Sequence, residues 1–146
     1  MVKRANKKLW CLKRLKKLRG RDIKRIRSLL EFAVAVWHPS LTNEDRLKIE
    51  RVQKSALSII MGQEYKSYRS ALKKFNLESL FSRRNKLCKK FARKSQRHTK
   101  FSKWFKPSTR RTLTRNIPKK CCEVYSRTER YKRSPISYLT NILNNV

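Results

Sequence analysis

The chain has 146 residues, of which 41 are lysine or arginine and 9 are aspartate or glutamate, for a formal net charge of +32. That length suits one domain, but repulsion on this scale opposes compaction unless a polyanion lies against the surface, and nucleic acid is the partner such a balance points to. No apolar run approaches the roughly 20 residues of a bilayer span, and Met1-Val2-Lys3-Arg4 leads into lysines where a signal peptide would turn apolar, so an intracellular chain with no membrane partner is expected.

The chain is expected to open on a basic amphipathic helix over 1–20. Leu9, Leu12, Leu15 and Leu18 recur every third residue, Lys13, Arg14, Lys16 and Lys17 surround them, and Gly20 is expected to stop the helix. Such a density of like charge reads as an arm for phosphates; the plainer reading is a surface helix with solvated lysines, and an amphipathic membrane or calmodulin-like ligand is a third. Asp22 is placed to cap the helix that follows.

The charge thins over Ile26 to Met61, the stretch able to form a core. Ile26, Leu29, Leu30, Ala33, Val34 and Trp37 follow the spacing of one buried helical stripe, which His38-Pro39 ends because proline cannot continue the hydrogen-bond ladder. Thr42 starts a second helix, with Glu44 and Asp45 at its positive end. Leu47, Ile49, Val52, Ala56, Leu57, Ile59 and Ile60 are its expected apolar face and Glu50, Arg51, Gln53 and Lys54 its wet one, with Gly62 as a left-handed cap. The two helices are expected to pack as an antiparallel pair.

A short helix through Tyr68, Ala71, Leu72 and Phe75 is expected to end at Asn76. A longer one carries Leu80, Phe81, Arg84, Leu87, Cys88, Phe91 and Ala92, with Arg83, Arg84, Lys86, Lys89, Lys90, Arg93 and Lys94 as its basic face; Arg83, Arg84, Lys89 and Lys90 are the expected phosphate-facing cations, since arginine forks match phosphate geometry. A surface arginine pair bonding helix carbonyls or Glu78 is the alternative. Around Trp104 and Phe105, aromatics alternate with Lys100, Lys103 and Lys106, a composition that stacks on unpaired bases or docks a tail on its own domain. The segment 99–133 reads as basic and irregular, and 134–146 as a short helix that Ser134-Pro135 caps and Tyr138, Leu139, Ile142 and Leu143 dock.

Catalytic chemistry is not expected. Two-metal phosphoryl transfer needs convergent carboxylates, whereas Asp22 and Asp45 read as helix starts and the glutamates stand isolated among cations. Cys11, Cys88, Cys121 and Cys122 have neither zinc-ligand nor disulfide-framework spacing, and His38 and His98 lie far apart. No metal, cofactor or small-molecule substrate is therefore expected.

The central stretch resembles a known family. Ile26-Arg27-Ser28-Leu29-Leu30-Glu31-Phe32-Ala33, Val36-Trp37-His38-Pro39-Ser40-Leu41 and Leu47-Lys48-Ile49-Glu50-Arg51-Val52-Gln53-Lys54-Ser55-Ala56, then Leu77-Glu78-Ser79-Leu80 and Arg130-Tyr131-Lys132-Arg133-Ser134-Pro135, are similar in order to the region after the palm in non-LTR (LINE-type) retrotransposon reverse transcriptases. The resemblance implies a helical thumb-like domain over 21–98, a tail beyond it, and binding of RNA or an RNA–DNA duplex. The whole family is an RNA-directed DNA polymerase, but its palm Tyr-x-Asp-Asp has no counterpart here, so this chain is not expected to be an enzyme by itself, and the missing polymerase portion becomes a candidate partner. Ala35 stands where a proline is common, and the link from Leu18 to Ile26 is shorter than in relatives. A stand-alone basic RNA- or chromatin-binding protein and a translated relic without function are the rival readings. The lysine and arginine clusters also suit a nuclear location.

Overall fold

The computed structural model describes residue 3 and residues 20–108 and 121–145. These are all-α, as the sequence predicts: α1 (Gly20–Glu31), α2 (Val34–Trp37), α3 (Asn43–Met61), α4 (Tyr68–Lys74), α5 (Leu80–Arg97), α6 (Glu129–Lys132) and α7 (Pro135–Asn144). Among the described residues there is no strand, only an isolated bridge between Pro107 and Cys121. The described chain divides into two compact units, one of Leu41–Arg84 with the residues up to Val34, the other of Ala35–Ser40 with the residues from Asn85 on.

The first unit is built on α3. Ile49, Val52, Gln53, Ala56 and Leu57 are its buried positions, spaced i, i+3, i+4, i+7 and i+8. Helices α1 and α4 both pack on α3, and Ile23, Ile26 and Leu30 from α1, Ala71 from α4 and Leu80 complete the unit's apolar interior. Each of the large aliphatic side chains removed from water there contributes about 1.5–3 kcal/mol.

Two assignments on α3 are corrected. Gln53, expected on the wet face, is 0% exposed, and Leu47, expected on the apolar face, is 58% exposed. Position decides both: Gln53 occupies a site on the i, i+3, i+4 stripe and Leu47 does not. The amide is accommodated because its Nε2 donates to Tyr68 Oη at 3.0 Å and to the carbonyl of Glu78 at 3.2 Å.

The expected ends of α3 hold. Thr42 has extended backbone, and its hydroxyl accepts the N–H of Asp45 at 3.2 Å. Gly62 follows the helix where its end was expected and donates its N–H to the carbonyl of Ser58, but φ 57° with ψ −123° lies outside the left-handed helical region of the predicted cap, in a positive-φ conformation that L side chains rarely adopt. Asn76 ends the α4 region at φ 48°. The start of α4 is a reciprocal serine pair that the sequence reading missed: Ser67 accepts the N–H of Ser70, and Ser70 Oγ accepts the N–H of Ser67.

The helix predicted from Ile26 to Trp37 is instead two helices. Ala33 has φ 50°, α1 stops at Glu31, and α2 runs only to Trp37 before a 3-10 turn over His38–Ser40. The break leaves Ala33 exposed and buries Ala35. From Leu29 to Trp37 all residues but Glu31 are apolar, so hydrophobic periodicity has no contrast with which to locate such a break. Asp22 lies within α1 and not ahead of it.

In the second unit α7 packs on the His38–Ser40 turn. His38 is buried, its Nε2 lies 2.8 Å from Asn85 Oδ1, and its ring meets that of Tyr138 edge-on with centroids 5.9 Å apart. Ser134 caps α7 ahead of Pro135, and Leu139 and Leu143 are buried, as predicted. Asn144 Oδ1 accepts the N–H of Cys121 at 2.9 Å while its Nδ2 donates to the carbonyl of Cys121 at 3.2 Å, holding the chain beside α7. The short α6, with Thr128 accepting the N–H of Tyr131, stands within the segment expected to be irregular. The basic helix predicted over 1–20 lies outside the described residues except at Lys3 and Gly20.

Candidate nucleic-acid interface

From Asn85 onward α5 separates two kinds of side chain. Cys88, Ala92 and Ser95 are buried, at i, i+4 and i+7. Lys86, Lys89, Lys90, Arg93, Lys94 and Arg97 are exposed. At 100° per residue these cations fill an arc of about 140° centred opposite the buried stripe. The helix itself contains no aspartate or glutamate, so its own residues add no negative charge to this face.

Six cations between Lys86 and Arg97 occupy a rise of about 16 Å, roughly one per 3 Å. A single nucleic-acid strand carries about one phosphate per 3.4 Å of duplex axis. The two densities match closely enough for the face to neutralise a backbone lying along it. In the sequence after Glu78 the only carboxylate side chains are Glu123 and Glu129, and Glu129 is held by Lys132 at 2.5 Å. That lysine, with Lys132-directed hydrogen bonding as the first cause, lowers the Glu129 pKa and keeps it ionised.

The predicted binding residues divide. Lys89 and Lys90 lie on the exposed arc. Arg83 is in the first unit, its Nε 3.5 Å from Glu31 Oε2, while Arg27 Nε is 3.4 Å from Glu31 Oε1. Arg84 is 0% exposed and presents no donor to a polyanion from this position. It stands four residues before Cys88 on the buried side of α5, the side on which its spacing with the apolar residues already placed it. Lys13, Arg14, Lys16 and Lys17 lie outside the described residues.

The two aromatics divide as well. Phe105 is 5% exposed, whereas Trp104 keeps 46% of its surface in solvent. Phe105 is therefore an internal anchor and no platform for a base. Lys86, Arg93 and Lys94 stand on this arc as the basic face read from the sequence; Arg97 is the cation that reading left out, although its three- and four-residue spacing from Lys94 and Arg93 was the signal that groups it with them.

The first unit has a cavity of about 400 Å³ lined by Lys24, Arg27, Glu31, Glu78 and Arg83 among others. Arg27 and Arg83 both reach Glu31 there, which takes up part of their charge. Among the described residues no group of three His, Cys, Asp or Glu side chains is placed to hold a metal ion. Cys88 and Cys121 are buried thiols and Cys122 is an exposed one. No described helix is long and apolar enough to cross a membrane.

Fold and surface together define a helical protein with a polycationic helix face. No protein-family model, curated protein or solved structure matches the chain.

Proposed function

We propose that the chain binds nucleic acid through the basic arc of α5, as the thumb-side and tail portion of a non-LTR retrotransposon reverse transcriptase, without polymerase activity of its own. The observation that carries the binding is the exposed arc of six cations from Lys86 to Arg97, on a helix that holds no aspartate or glutamate of its own, set opposite the buried Cys88, Ala92 and Ser95. Kinship to the polymerase rests on the ordered words of sequence between about Lys8 and Asn144. RNA or an RNA–DNA duplex is the expected ligand.

Binding would proceed by release of counterions from the phosphates and be mostly independent of base sequence. If six phosphates are neutralised, affinity falls by about 10³ between 50 and 200 mM salt. Fluorescence anisotropy with a labelled RNA–DNA duplex across that range is the test, and a flat salt response sinks the proposal. The polymerase kinship has its own test. Translation of the transcript upstream of Met1 should show a palm with Tyr-x-Asp-Asp, and an expressed message with nothing polymerase-like there would leave a stand-alone basic binding protein.

A further inference from the structure

Directly after the basic arc, three rings stand in contact. The His98 and Phe101 ring centroids are 5.0 Å apart, and those of Phe101 and Trp104 are 4.8 Å apart. Backbone turns fix the row: Phe101 N–H donates to the carbonyl of His98 at 3.0 Å, Trp104 N–H to that of Phe101 at 3.0 Å, and Phe105 N–H to that of Ser102 at 3.0 Å. His98 Nδ1 accepts the N–H of Lys100 at 3.2 Å, which puts the proton of the neutral ring on Nε2 and holds the imidazole in place. The buried Phe105 pins the end of the turn.

An aromatic that only filled the interior would be covered, as Phe105 is. Trp104 is not covered, and cations flank it in the sequence: Arg97, Lys100, Lys103 and Lys106 follow at three-residue steps, all exposed. A held indole among cations is the arrangement in which a base stacks while its flanking phosphates are neutralised. A base inside a duplex has both faces occupied by neighbours, so only an unpaired one can use the ring.

We infer that Trp104, backed by Phe101 and His98, is a stacking platform for an unpaired base, so that the preferred ligand is a single-stranded segment of RNA or DNA continuing from the phosphates held by α5. This rests on the proposed binding role of α5 and specifies which nucleic acid that surface prefers. The base is recognised by its π-face, so little discrimination between bases follows.

The test uses the full chain with two labelled probes, an oligouridylate of about 20 nucleotides and a blunt RNA duplex of about 20 base pairs. Trp104→Ala should weaken oligouridylate binding about 5- to 100-fold, the range of one base–aromatic stack, and change duplex binding less than about twofold. Trp104→Phe, which keeps a smaller ring, should recover most of the loss. Lys90→Glu with Arg93→Glu should weaken both probes. Unchanged oligouridylate binding by Trp104→Ala, or equal losses on both probes, overturns the platform while leaving the α5 reading intact. If the unaltered protein binds neither probe, both readings fail together.

Discussion

Tyr68 on α4 donates its hydroxyl hydrogen to Glu50 Oε1 on α3 over 2.5 Å, and the same oxygen accepts the backbone N–H of Leu80, the first residue of α5, at 3.2 Å. One carboxylate oxygen therefore ties three helices, and it sets negative charge at the positive end of α5. Gln53 completes the junction from below. Replacing Tyr68 with Phe removes a donor to the carboxylate and an acceptor for the Gln53 amide, and should lower stability by about 1–3 kcal/mol. Urea denaturation followed by helical circular dichroism is the measurement. An unchanged midpoint would show that the junction is not a stabilising one.

The same tyrosine gives the protein an alkaline limit. Burial first, then the hydrogen bond to Glu50, raises the Tyr68 pKa above its ordinary value of 10.0. The unfolded chain releases this proton near pH 10 while the folded one keeps it, so stability is intact below that pH and falls as pH rises above it. Ultraviolet titration of phenolate should find one tyrosine ionising after the others, or only on unfolding, and Tyr68→Phe should abolish that delayed component.

Glu31 stands between two guanidinium groups, those of Arg27 and Arg83. Arg27 is nearly buried, whereas Arg83 is open to solvent, so the first contact matters more. Glu31→Gln should cost about 1–2 kcal/mol. Arg83→Gln should cost less than Arg27→Gln in the same denaturation assay, and the reverse order would contradict this reading of the cluster.

Gly62→Ala isolates backbone strain. A Cβ at this position would meet nothing within 4 Å, so crowding is absent, but φ 57° with ψ −123° is a backbone that L residues rarely adopt and only under strain. The substitution should destabilise by about 1–3 kcal/mol. A neutral outcome would mean that the α3 end relaxes to another turn.

On α5, Lys90→Ala combined with Arg93→Ala removes two phosphate contacts from the proposed interface. The slope of log affinity against log salt should then become shallower by about 1.4–1.8, between the single-strand and duplex values. Parallel lines for variant and unaltered protein would place the bound phosphates elsewhere.

Much of the helical framework was legible because it is written locally. Thr42, Ser134-Pro135, Asn76 and Gly62 marked ends by chemistry acting within one turn of chain, and each end is found there. The alternation of buried and charged positions on α5 was equally plain, since a helix of this charge can bury only one stripe.

What the sequence by itself determined, then, is that this is an all-α chain with an excess of positive charge and with most helix ends in known places. Only the tertiary structure decided that the polar residues on the buried stripes stay inside. Gln53 and Arg84 are buried because they fall on the buried sides of α3 and α5, and Gln53 finds its partners, Tyr68 and Glu78, 15 and 25 residues away. It also decided the break at Ala33 and the opposite fates of the adjacent Trp104 and Phe105. A local hydrophobic pattern marks the stripe on which a polar residue falls, but it carries no record of partners 15 and 25 residues away such as those that satisfy Gln53.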